Sequence, residues 1–248
     1  MNLVLKILFL LKLSFGLLPE PWEVDPPEGY RLEYLDDFNE LNLAYWHKGL
    51  WWALPPPSKQ VDENIAVVDG ELVITLTKLD SVTYGAANLI SKRDLPAYCL
   101  VRALVRWDSS PGLWVAPFWL FGSGYEYDLE ACGGDPNRVS FTAHKWGKGI
   151  HEQTKGNAIR HKKLEPTKKY YLLEIEKTPR AIYWKVNGVT VKRVKKWVVE
   201  GEQLLIIGAG AGTYCTLPAT TPAKLYMDYM EIYYKDEKSK RSGKASRK

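Results

Sequence analysis

Sulfur is scarce in this chain: 248 residues hold only three Met and three Cys. Cys99, Cys132 and Cys215 form an odd set without metal-ligand spacing, so they specify neither a zinc site nor a disulfide framework. At most one bridge can form, and the sequence leaves the pair open. Helical periodicity is nearly absent, which excludes bundles and alternating α/β folds. There is no internal repeat. Charge excess is missing from most of the chain. The formal charge is +5, and the tail accounts for it, with Lys235, Lys238, Lys240, Arg241, Lys244, Arg247 and Lys248 against Asp236 and Glu237. A basicity confined to one end argues against a nucleic-acid-binding face, and its composition predicts disorder over 236–248.

What the chain does have is aromatic rings and turn punctuation. Ten Trp and fifteen Tyr suit β-strands, and they also suit stacking on sugar faces. Short strands are expected from residue 30 onward, broken by Gly, Pro, Asn and Asp. Asp69-Gly70 and Asn187-Gly188 sit between apolar alternations as hairpin turns. Strands are expected at 65–78 (broken at the turn), 100–107, 114–121, 125–131, 138–146, 170–176, 182–186, 189–194, 204–208 and 225–234. The fold expected is an all-β sandwich or jelly roll, one domain over 30–235. Pro19, Pro21, Pro26 and Pro27 make 19–29 a stiff linker. Residues 1–18 are apolar with Lys6 and Lys12 embedded, too short and interrupted for a membrane span. They read as a signal peptide, with a short anchoring or partner helix as the alternative. Secretion or another extracytoplasmic location follows from the first reading, with a monomer expected.

The chemistry concentrates in Glu126-Tyr127-Asp128-Leu129-Glu130. On a strand, alternate side chains share a face, so the three carboxylates project together while Tyr127 and Leu129 enter a core. Aligned like charges repel, which marks the triplet as functional rather than decorative. The Cα atoms of Glu126 and Glu130 lie about 13 Å apart at roughly 3.3 Å per residue. Leaning side chains bring the carboxyls to about 5–5.5 Å, the separation of a nucleophile and an acid/base in a retaining glycosidase. Asp128 between them splits their proton affinities. A hairpin centred near Asp135 sets Glu130 opposite Ser140, Asp128 opposite Thr142 and Glu126 opposite His144, with Val139, Phe141 and Ala143 in the core.

With those residues in place the chain resembles glycoside hydrolase family 16. The resemblance rests on the E-x-D-x-E run, on Asn64 to Ile74 with its D-G turn, and on Ala116-Pro117-Phe118-Trp119-Leu120. It also rests on Tyr183 to Gly188 and on Met227 to Tyr233. These motifs occur in the family's order across about residues 30–234. The resemblance implies a concanavalin-like β-jelly-roll of two curved antiparallel sheets. It also implies retaining endo-hydrolysis of internal β-glycosidic bonds in a polysaccharide, a β-glucan with 1,3-1,4 or 1,3 linkages. Glu126 would be the nucleophile, Glu130 the acid/base and Asp128 the helper. The unbulged triplet is similar to the lichenase and xyloglucan-active branch. The residues expected to bind substrate are Trp51, Asn88, Trp114, Trp119, His144 and Trp146; Trp51 and Trp52, followed by Pro55-Pro56-Pro57, read either as a cleft-edge wall or as a loop-packing pair. No cofactor is required; the resemblance adds a structural calcium held by Asp228 and the carbonyl of Gly70. A transglycosylase on the same site, and a non-catalytic lectin-like domain, remain alternatives.

Overall fold

The computed structural model describes residues 18–147, 149–154, 157–160, 164–212 and 215–235. The expected leader (1–18, apart from Leu18) and the basic tail (236–248) lie outside them. Seventeen strands follow one another: β1 (Tyr30–Asp36), β2 (Trp46–Lys48), β3 (Ser58–Gln60), β4 (Ile65–Val68), β5 (Glu71–Lys78), β6 (Tyr84–Ser91), β7 (Cys99–Trp107), β8 (Leu113–Gly122) and β9 (Tyr125–Cys132). Then come β10 (Asp135–Gly147), β11 (Ile150–Gln153), β12 (Asn157–Arg160), β13 (Tyr171–Lys177), β14 (Ile182–Val186), β15 (Val189–Val194), β16 (Leu204–Ala211) and β17 (Ala223–Lys235). The only helical segments among the described residues are two short 3₁₀ turns. This is the all-β jelly-roll architecture expected.

The strands form two layers. A front sheet runs β2, β6, β16, β8, β9, β10, with β11 and β12 beyond. A back sheet centres on β17 and β7 and continues through β13, β14 and β15. A short β5–β6 pairing joins the layers at one side. Between them lies the core, with Trp46, Trp107, Phe118, Tyr127, Leu129, Phe141 and Trp184 fully buried. Both expected hairpin turns have their pair of residues at positive φ: Asp69 at 53° and Gly70 at 80°, Asn187 at 47° and Gly188 at 75°. That is the backbone of a tight two-residue turn whose twist matches its strands.

The Pro-rich stretch after residue 18 lies against the back sheet. Asn187 donates its side-chain amide to the Pro19 carbonyl (2.7 Å), and Arg102 donates to the Val24 carbonyl (2.9 Å). Leu18 packs on the main core.

Candidate active site

β9 alternates as its sequence requires. Tyr127, Leu129 and Ala131 point into the core; Glu126, Asp128 and Glu130 line an open cleft on the front sheet's outer face. Against β10 the register pairs Glu130 with Ser140, Asp128 with Thr142 and Glu126 with His144, the pairing expected; the turn itself is at Gly133–Gly134 rather than centred on Asp135, and a register shift between Asp135 and Val139 restores the pairing. β9 runs through the triplet without a bulge. The strand is also held from behind. Trp184, from the back sheet, donates its indole N–H to the Asp128 carbonyl (2.8 Å), and the Tyr127 hydroxyl donates to the Trp197 carbonyl (2.6 Å).

The neighbouring strand β8 supplies two aromatic walls through an irregularity. Its register slips by one residue between Val115 and Phe118 against β9, and between Trp119 and Ala116 against β16. Pro117 sits in that slip. Proline has no N–H for the ladder, so an interior proline belongs at a bulge. The extra residue resets the alternation. Val115 and Phe118 both enter the core, while Trp114, Ala116 and Trp119 all face the cleft.

Each carboxylate has its own partner. Trp114 donates its indole N–H to Glu130 Oε1 at 2.9 Å, and Trp146 donates to Glu126 Oε2 at 2.8 Å. His144 Nε2 lies 2.6 Å from Asp128 Oδ2. Beyond it, His144 Nδ1 lies 2.7 Å from His151 Nε2.

Electrostatics follow from burial and crowding. Burial first, then the Asp128 charge, pushes the Glu126 carboxyl up to about 8. Burial and then the Glu130 charge hold Asp128 well above the usual carboxylate range, with Lys192 opposing. Two such carboxyls in hydrogen-bond contact retain one proton between them at neutral pH. We place that proton on Asp128. It is the more deeply buried of the two, and Glu126 accepts an N–H bond that favours its charged form. Burial lowers His144, against the pull of Glu126 and Glu130, which keeps its imidazole neutral.

The remaining wall is apolar: Leu50, Trp52, Leu54, Pro55 and Ala116 join Trp114 and Trp119. The cleft is open to solvent on one side. Asn88, fully buried on β6, lines it, and among the described residues its Oδ1 has no partner; nor does Trp119 Nε1, also buried. A Cβ at Gly208 would lie 2.1 Å from that Asn88 oxygen, so glycine makes room for it. Of the two adjacent tryptophans, Trp52 lines the cleft. Trp51 stands outside it, 63% exposed and edge-on to Trp52 at 4.6 Å. Trp146 is exposed at the rim.

A disulfide closes the Glu130 end. Cys132, two residues beyond Glu130 and opposite Trp114, is bonded to Cys215. Cys99 is buried and free. Asp228 sits at a register slip of β17, and Gly70 is in the β4–β5 turn. Burial and the Glu71 charge raise the Asp228 carboxyl. Glu71 is engaged by Arg106 at 3.2 Å and by the Tyr170 hydroxyl. Among the described residues, no group of three or more His, Cys, Asp or Glu side chains gathers to hold a metal.

His151, Gly208 and Pro117 are the site residues that alternation and motif spacing do not reveal. Only Pro117 leaves a signal, as a proline inside an aromatic strand.

Residues 58–243 match the family model for glycosyl hydrolases family 16. The alpha subunit of clotting factor G from Tachypleus tridentatus is 26% identical over 194 residues, covering 69% of this chain and 28% of that protein. The chain thus spans under a third of the length of this curated relative. The endo-β-1,3-glucanase of Pyrococcus furiosus superimposes with a TM-score of 0.71 at 23% identity, covering 82% of this chain and 94% of that one. SCLam, a non-specific endo-β-1,3(4)-glucanase, gives 0.73 at 21% identity, covering 86% and 94%.

Proposed function

This chain belongs to glycosyl hydrolases family 16, and on that premise we propose that it is a retaining endo-β-glucanase acting on 1,3 or mixed 1,3-1,4 linkages. The observation that carries the reading is the arrangement of Glu126, Asp128 and Glu130 along one cleft, each with a separate partner. The glucanase names of two structural neighbours support the substrate class.

In this reading Glu126 attacks the anomeric carbon. A carboxylate–sugar ester forms, the glycosidic C–O bond breaks, and Glu130 protonates the leaving oxygen. Trp114 holds the Glu130 carboxyl in place through its indole N–H to Oε1. Glu130, now a base, takes a proton from water, whose oxygen displaces Glu126. Asp128 keeps its own proton and hydrogen-bonds through it to Glu126, so the nucleophile is ionised when it attacks. A sugar hydroxyl accepting from Trp119 Nε1 and donating to Asn88 Oδ1 would satisfy both unmet groups.

The test is release of new reducing ends from soluble β-1,3- and mixed-linkage glucans, with product sizes. Oligomeric products from internal cuts are expected. Binding without any cleavage over long incubation overturns the reading in favour of a lectin-like domain. An added acceptor oligosaccharide that is elongated identifies transfer.

The Cys132–Cys215 bridge supports an oxidising, extracytoplasmic location, and no helix among the described residues is long and apolar enough to cross a membrane. A structural calcium at Asp228 and the Gly70 carbonyl is part of the same proposal. The Glu71 charge beside Asp228 supports it, because a divalent cation relieves that repulsion. Calcium should raise the melting temperature of the wild type and leave Asp228→Asn unmoved; equal responses discard the site.

A further inference from the structure

The two side chains that hold the Glu126–Asp128 pair meet at a third residue outside the triplet. β10 and β11 are paired so that His151 lies opposite Trp146. The His151 ring lies flat on the Trp146 indole, 3.9 Å between centroids and 4° from parallel. Its Nε2 lies 2.7 Å from His144 Nδ1. We propose that His151 is a positioning residue for the nucleophile, bracing both arms at once. One arm runs His151–His144–Asp128, the other His151–Trp146–Glu126. The proposal deepens the retaining-glycosidase reading and rests on it.

Proton bookkeeping gives the first arm its content. A neutral imidazole offers one donor and one acceptor. With His151 Nε2–H donating to His144 Nδ1, His144 carries its proton on Nε2 and donates it to Asp128 Oδ2. The Asp128 proton is thereby directed to the other oxygen, toward Glu126. Remove the His151 donor and His144 is free to switch tautomer, which lets Asp128 turn its proton away from the nucleophile. The charged groups facing this relay are Glu126, Asp128 and Glu130 from β9 and Lys192 from β15. Lys145 and Glu152, on the hairpin's opposite face, pair with each other. Lys192 is itself anchored to the Phe141 carbonyl and Thr154 hydroxyl.

Three variants separate the arms. His151→Phe keeps a ring on Trp146 and removes the nitrogen; His151→Gln keeps a donor and removes the ring; His151→Ala removes both. Two readouts are taken on the full chain: the pH profile of kcat and KM on a soluble β-1,3-glucan, and the ¹⁵N NMR tautomer and titration of His144. The expected result for His151→Phe is loss of the fixed His144 tautomer, a displaced limb of the kcat–pH profile and a kcat about tenfold lower at constant KM, the scale of one supporting hydrogen bond. His151→Gln recovers the profile in part, and His151→Ala is the slowest. An unchanged His144 tautomer together with an unchanged profile in His151→Phe overturns the proposal. A wild type inactive on every glucan sinks the glucanase reading instead, while the NMR readout still decides the relay.

Discussion

Trp114 and Trp119 line the same cleft although they stand five positions apart. A regular strand would send them to opposite faces; the extra residue at Pro117 brings them together.

Deleting Pro117 should therefore turn either Trp114 or Trp119 into the core. We expect loss of glucan cleavage together with a lower melting temperature. Pro117→Ala keeps the residue count and should retain most activity. Parallel assays of the two variants, with far-UV circular dichroism, check this.

Glu126→Gln should abolish cleavage while stabilising the fold, increasingly so at higher pH. The sign follows from the direction of the shift. The Glu126–Asp128 pair keeps its shared proton in the folded state up to about 8, so its burial costs nothing below the unfolded value near 4.5 and most above about 8. The variant's melting temperature should match the wild type at pH 4.5 and exceed it by a few degrees, roughly, at pH 8. A variant less stable at pH 8 would contradict the assigned burial.

Trp114→Phe keeps an apolar ring and removes the donor to Glu130. The expected effect is on kcat, about tenfold for one hydrogen bond, with a smaller change in KM. Steady-state kinetics on a soluble glucan read the split.

Cys132→Ser opens a loop spanning 83 residues in sequence. Chain-entropy arguments put the loss at about 4 kcal/mol, or a melting temperature roughly 10 °C lower for a domain of this size. Because Cys132 is paired with Trp114, activity should fall at temperatures where the variant is still folded. Thermal scans paired with assays at 20 °C test both.

Much of this architecture was legible in the sequence, for local reasons. Both turn dipeptides formed, and the face of the acid triplet followed from period-two alternation; its register against β10 depends on an irregularity between Asp135 and Val139 that the spacing does not reveal. Val139, Phe141 and Ala143 are buried as expected. β6 left no pattern because every one of its residues is buried: the core covers one face and the cleft's apolar wall the other. Trp51 and Trp52 were indistinguishable because they lie in a bend where alternation does not apply. The Cys132–Cys215 pairing and the His151 contact depend on chain returns that residue spacing does not encode.

β9 is pinned by indole and hydroxyl contacts on one side and bears three acids on the other. The floor of the groove therefore cannot yield locally; displacing it would break into the hydrophobic interior. Accommodating glucans of different shape falls to the rim, where Trp51 and Trp146 stand in solvent. Diversification of specificity should leave the eight residues of this strand in place and rewrite the banks.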